Sequence, residues 1–137
     1  MGGLYLKKHD YLFDTHSLIF WINKEFMSEN FIKFLDKQER EQTLYVSSVS
    51  FWEAALLSKK KKIEIKDLHT WKNDLLDNTS IKLINPSASE MIDSCLLPEI
   101  HKDPFDRLLI AQSNSHSLTL ITKDHDIEKY DVKTFWL

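Results

Sequence analysis

The sequence predicts an α/β fold, a mostly parallel sheet with helices on both faces. Short runs rich in apolar and β-branched side chains alternate with longer stretches of helical period. Within the runs, consecutive residues tend to be apolar, as strands buried on both faces require. Polar helix-starting residues follow the first two runs directly: Asp14-Thr15 after the first and Ser47-Ser48 after the second.

Taken in order, residues 11–13 form a first strand that stops at Asp14-Thr15-His16-Ser17 and turns into a helix. Residues 25–41 carry Phe31, Ile32, Phe34 and Leu35 among charges and predict a surface helix. Residues 44–46 give the second strand, and Ser47-Ser48 punctuate before a helix over residues 49–59. A lysine run at 59–62 leads through the alternation Ile63-Glu64-Ile65 into an amphipathic stretch over 67–78. Residues 81–84 read as the third strand. Pro86 and Ser87 open a helix that carries Ala88, Met91, Ile92 and Cys95 and stops ahead of Pro98. Asp103-Pro104 opens another, with proline at its first position behind an acidic cap. Residues 118–121 and 132–136 supply the fourth and fifth strands. No repeat, low-complexity segment or internal linker breaks the pattern.

Composition narrows the chemistry. The 137 residues fit one domain, residues 1–137, with residues 1–9 as a lead-in segment. Cys95 is the only cysteine, so no intrachain disulfide forms, and no Cys/His pair has zinc-finger spacing. The longest apolar run, residues 18–22, is far below the ~20 residues that span a bilayer, so a soluble cytoplasmic protein without a membrane partner is expected. The only glycines are Gly2 and Gly3, which removes the P-loop, the dinucleotide-binding turn and the nucleophile elbow together. A net charge of −3 does not suggest a nucleic-acid binder held by bulk positive charge. Four carboxylates committed to bound cations would bring the remaining surface close to neutral, so net charge does not decide the partner.

Four acids stand out. Asp14 follows the first strand and Asp124 the fourth, so in a parallel sheet both lie beyond strand carboxyl ends, where open α/β folds place ligands. Taken singly, each is better explained as a turn or N-cap acid. Glu53 adds weight, because it lies four residues after Val49 and three before Leu56, within the stripe that faces the core. Asp106 shares a face with Leu109 and Ile110; stabilisation of the helix dipole is its alternative role. Converging carboxylates repel one another, and a divalent cation with a preference for oxygen ligands relieves that repulsion. His9, His16, His69, His101, His116 and His125 form no recognisable zinc set and read as polar surface, with His16 and His125 beside the acids.

The segments Tyr11-Leu12-Phe13-Asp14-Thr15-His16, Ser47-Ser48-Val49-Ser50-Phe51-Trp52-Glu53, His101 to Gln112 with its DPFDR core, and Leu120-Ile121-Thr122-Lys123-Asp124 resemble the PIN domain, in particular the VapC-type ribonuclease toxins of type II toxin–antitoxin systems. The likeness runs from about Asp10 to Leu137. It implies a PIN-like three-layer fold, with a five-stranded mostly parallel sheet in the order 3-2-1-4-5 and helices on both faces. It also implies an acidic site for one or two Mg²⁺ or Mn²⁺ ions. Carried over residue by residue, Asp14, Glu53, Asp106 and Asp124 match the family's catalytic and metal-binding acids, with Thr15 and Thr122 as neighbouring hydroxyls. Asp103 is equally explained as an N-cap, and Asp126 as a supporting acid or the cap of a short final helix. Arg107 is a phosphate contact or the partner of a structural salt bridge, and Lys123 is the better phosphate candidate. Where the family often has a glycine before the fourth strand and another after the Glu-bearing helix, this chain has Ser117 and the lysine run, which puts the local loop geometry in question.

The implied reaction is hydrolysis of an RNA phosphodiester, transfer RNA (tRNA) or ribosomal RNA (rRNA) being candidate substrates. A small cognate antitoxin would cover the site, and a homodimer is the family expectation. A bound ion that activates water needs no side-chain nucleophile, consistent with the absence of a Ser/His/Asp set. Lys59 to Lys62 read as solvated charges at a helix C-terminus ahead of an RNA contact, and the aromatics Phe20, Trp21, Phe51 and Trp52 as core or dimer surface ahead of base-stacking platforms. Three alternatives remain. A PIN-like RNA- or protein-binding module without cleavage would have lost a site acid. An RNA-processing nuclease unrelated to toxin–antitoxin function would be expected to carry an appended RNA-binding module. A phosphotransferase with an aspartate nucleophile would want an acid at position 16, where His16 stands.

Overall fold

The computed structural model describes residues 9–137; apart from His9, the expected lead-in segment lies outside them. The elements are β1 (Tyr11–Phe13), α1 (Thr15–Asn23), α2 (Glu29–Arg40), β2 (Leu44–Ser47), α3 (Ser48–Lys59), α4 (Leu68–Asn78), β3 (Lys82–Ile84), α5 (Ala88–Leu96), α6 (Pro104–Ser115), β4 (Thr119–Ile121), α7 (His125–Glu128) and β5 (Thr134–Phe135). All four strand pairings are parallel and the order is β3-β2-β1-β4-β5. The expected architecture is therefore present.

Alternation along each short strand builds two cores, one on each face of the sheet. Tyr11, Phe13, Leu44, Val46 and Ile121 face Leu18 and Trp21 of α1, Phe31 and Leu35 of α2, and Leu75 of α4. Leu12 and Leu120 face Leu109 and Ile110 of α6 together with Ile127 and Tyr130. Burial of both faces explains why the strands read as apolar runs in the sequence.

Some boundaries differ from expectation. The helix expected from residue 25 starts at Glu29, because the chain leaves α1 through left-handed Lys24 (φ 54°) and Phe26 (φ 56°) before Ser28 caps α2. The fifth strand spans only Thr134–Phe135. Asp124, not Asp126, caps the final short helix. The two places where the family often has glycine do adopt the left-handed conformation, at Ser117 (φ 55°) and Lys61 (φ 57°), without it. Helix α5 is turned inside out: Glu90 and Ser94 are buried while Met91, Ile92, Cys95 and Leu96 face outward. Among the described residues, no helix is long and apolar enough to cross a membrane.

Candidate active site

Because β1 and β4 pair Phe13 with Ile121, both strands end at the same height, and the residues that follow them emerge side by side. Asp14 caps α1, its Oδ1 accepting the Ser17 N–H at 2.8 Å. Asp124 caps α7, its Oδ1 accepting the N–H groups of Asp126 at 2.8 Å and Ile127 at 3.4 Å. Asp103 caps α6 in the same manner, toward Phe105 at 2.8 Å and Asp106 at 3.1 Å. Each cap occupies Oδ1 alone, and all three residues line one cleft of about 490 Å³. Capping and site membership are therefore joint roles of the same carboxylates.

Glu53 reaches that cleft from the middle of α3 and Asp106 from the first turn of α6. α3 packs against both α1 and α6, which places Glu53 between them at 6% exposure, with Oε1 buried and without a hydrogen-bond partner. Burial pushes the Glu53 carboxyl up, and the charges of Asp103 and Asp14 add to the effect against the pull of Thr15 and His16. Burial likewise raises Asp14, against the hydroxyls of Ser17 and Thr122. Asp106 is pushed up to about 7, by burial first and then by the charges of Asp103, Asp14 and Glu53, with the His101 hydrogen bond opposing.

His101 is the residue that sequence reasoning missed. Its Nε2 lies 2.8 Å from Asp106 Oδ2 and 3.8 Å from Asp124 Oδ2. Burial disfavours charge on the ring, but the surrounding carboxylates Asp106, Asp124 and Asp103 lift it above the ordinary histidine value. His101, Asp103 and Asp106 offer ligand atoms all within 4.8 Å of one another. The available signal was its place two residues ahead of the Asp103 cap, but the path of the intervening loop is fixed elsewhere.

Arg107 fixes that path. Of its two expected roles, phosphate contact or partner of a structural salt bridge, the structure favours the second: it is buried at 8% exposure, with its guanidinium on loop carbonyls and near Glu99. Its guanidinium donates to the carbonyls of Leu97, Pro98 and His101 at 3.0, 2.9 and 3.1 Å, to Cys95 at 3.4 Å, and to the Tyr130 hydroxyl at 3.2 Å. Among the described residues, only the exposed Glu99, at 3.9 Å, approaches it as a counter-ion. Asp126 also stays out of the cleft lining and pairs with Lys129 at 3.1 Å. Thr15 donates to Ser50 Oγ at 3.0 Å, and Thr122 Oγ1 accepts the Asp124 N–H at 3.1 Å, so both buried threonines back the acids. Lys123 lines the cleft with Nζ 5.0 Å from the Phe20 ring centre. The donor set fits a hard divalent cation: carboxylate oxygens dominate, one is buried and unpartnered, and their mutual repulsion is what such a cation relieves.

A family model described as "PIN domain" matches residues 11–133. No curated protein matches the chain. The fold is similar to that of a DNA-bound VapBC from Salmonella typhimurium (13% identity, 93% of this chain and 98% of that one, TM-score 0.67). VapBC2 from Rickettsia felis, bound to a DNA fragment from its promoter, matches at 18% identity with the same coverage and a TM-score of 0.68. FitAcB from Neisseria gonorrhoeae matches at 20% identity, 91% and 96% coverage and a TM-score of 0.60. At these identities the likeness is one of fold.

Proposed function

We propose, from the premise that this chain belongs to the PIN domain family, that it is a single-domain metal-dependent nuclease that hydrolyses RNA phosphodiester bonds. We further propose that it is the toxin of a VapBC-type pair, held in check by a small antitoxin and acting as a homodimer in the cytoplasm; the fold likeness to VapBC and FitAcB supports this. One observation carries the nuclease reading. Asp14, Glu53, Asp106 and Asp124 line a single cleft at the carboxyl ends of the strands, with an unpartnered Glu53 oxygen and an Asp106 proton held near neutrality by burial and neighbouring charge.

These four acids would hold Mg²⁺ or Mn²⁺, as one ion or two. Such an ion, when bound, lowers the pKa of water and offsets charge on the leaving oxygen. The chain's own groups set the stage. Backbone N–H groups at three helix starts fix Asp14, Asp103 and Asp124, leaving little rotamer freedom to lose on binding. His101 Nε2, held by Asp106, can carry a proton within the cleft. Lys123 supplies a positive charge beside the acids for a phosphate oxygen.

The test is cleavage of total RNA and of a tRNA pool by purified protein in Mn²⁺ or Mg²⁺ against EDTA, beside Asp14→Asn. That variant removes a ligand charge at nearly constant volume and also exposes any contaminating ribonuclease. Discrete products that need metal and vanish in the variant are expected. Undiminished cleavage by Asp14→Asn would refute the site.

A further inference from the structure

We propose that a trough leading out of the acidic cleft holds a single-stranded RNA base next to the scissile bond, with Phe26 as its stacking platform. This inference rests on the nuclease reading for its substrate class and extends it to a recognition element.

The acidic cleft and a second cavity of about 570 Å³ share His16 and Phe20 in their walls, so the two adjoin. A line of rings runs through the junction: His16 lies 6.2 Å from Phe20, and Phe20 lies 5.1 Å from Phe26, centre to centre. Phe26 is 70% exposed and meets Phe20 in a T-shaped contact, so most of its ring lies outside the core that aromatic residues ordinarily join. Its φ of 56° is an outlier for a bulky side chain, and the segment between α1 and α2 holds the ring at the trough nonetheless.

Charge sorts what would lie where. Lys123 stands in the cleft, over the Phe20 ring, and Lys62 lines the second cavity. Glu25 and Glu64 line that cavity too, which disfavours a run of phosphates and leaves space to a base, whose amino and imino groups a carboxylate accepts. A strand would thus lay phosphates on the two lysines and a base on Phe26. Lysines flanking stacking rings are the pattern by which proteins hold single strands.

The experiment is a fluorescence-anisotropy titration of a labelled, unstructured mixed-sequence oligoribonucleotide in EDTA, with the wild type, Phe26→Ala and Phe26→Trp. Phe26→Ala is expected to weaken binding by about 5- to 150-fold, the range one base–aromatic stack spans. Phe26→Trp is expected to bind at least as tightly as the wild type, which separates loss of stacking from loss of fold. Cleavage of the same oligonucleotide in Mn²⁺ reads the nuclease assignment separately. Binding that depends on Phe26 without any cleavage would refute the nuclease and support the trough. Equal affinity of Phe26→Ala and the wild type would overturn the proposal and leave the trough to a protein segment.

Discussion

Asp106→Asn is expected to make the metal-free protein more stable while removing its response to metal. In the folded chain the Asp106 carboxyl titrates at about 7 in place of 3.8, and its side chain is only 16% exposed. Holding it ionised at pH 8 therefore costs up to roughly 4 kcal/mol, at about 1.4 kcal/mol per tenfold. Because the folded carboxyl binds its proton more tightly than the unfolded one, its contribution is intact below about pH 4 and is lost as pH rises through about 7. Burial pushes Asp14 and Glu53 upward as well, and the carboxylates raise His101 despite its burial, so the contribution of all four groups falls as pH rises: the acids resist ionisation, and His101 loses a proton that the fold favours. Asparagine removes the charge and keeps an oxygen for His101. Urea denaturation in EDTA should find the variant about 2–4 kcal/mol more stable at pH 8, the lower figure allowing for the counter-charge His101 loses, and less than half as much at pH 5. In a domain of this size that is about 3–5 °C of Tm per kcal/mol. Millimolar Mn²⁺ should reverse the order at pH 8. A variant no more stable than the wild type at pH 8, or one with the same difference at both pH values, would refute the electrostatic account.

Three further outcomes follow from the structure. Divalent metal should raise the wild-type Tm by mass action, by about 2.7 kcal/mol at a hundredfold excess over Kd, and Glu53→Gln should shrink that gain in the same melting scan because it neutralises the buried, unpartnered carboxylate. Arg107→Ala should cost about 3–5 kcal/mol in urea denaturation, since it strips the donors from four carbonyls; Arg107→Lys should recover only part, lacking the planar fork. Ser117→Gly should stabilise by about 0.5–1 kcal/mol, the relief of a left-handed φ less the added backbone entropy, and a fall in Tm would count against strain at that turn.

The parts of the fold visible in the sequence were those written in short periods. The strand runs and the DPFDR helix start are local patterns, and the shared ending of β1 and β4 turns two of them into neighbouring acids. Glu53 was legible as a charge on a core-facing stripe, an inconsistency that buried function leaves behind. His101 was not legible, because its approach to Asp106 depends on a loop whose carbonyls converge on a buried arginine one residue further along. The orientation of α5 escaped for a related reason. Its apolar residues outnumber Glu90 and Ser94, yet Glu90 closes a capping box with Ser87 and meets His116 at 3.0 Å, so the polar pair faces the protein.

Strain gives a way to tell the turns of this chain apart. Five described residues other than glycine hold a left-handed backbone: Lys24, Phe26, Gln42, Lys61 and Ser117. Lys24, Gln42, Lys61 and Ser117 sit where a helix ends or a strand is about to begin, and glycine would serve each of them at lower steric cost. Phe26 differs, since its ring is exposed at the trough and a glycine there would remove the aromatic group the turn presents. Phe26→Gly should therefore raise the Tm as Ser117→Gly does, yet lose RNA affinity as Phe26→Ala does. If both glycine variants gain stability and keep RNA binding, Phe26 is a turn residue like the other four.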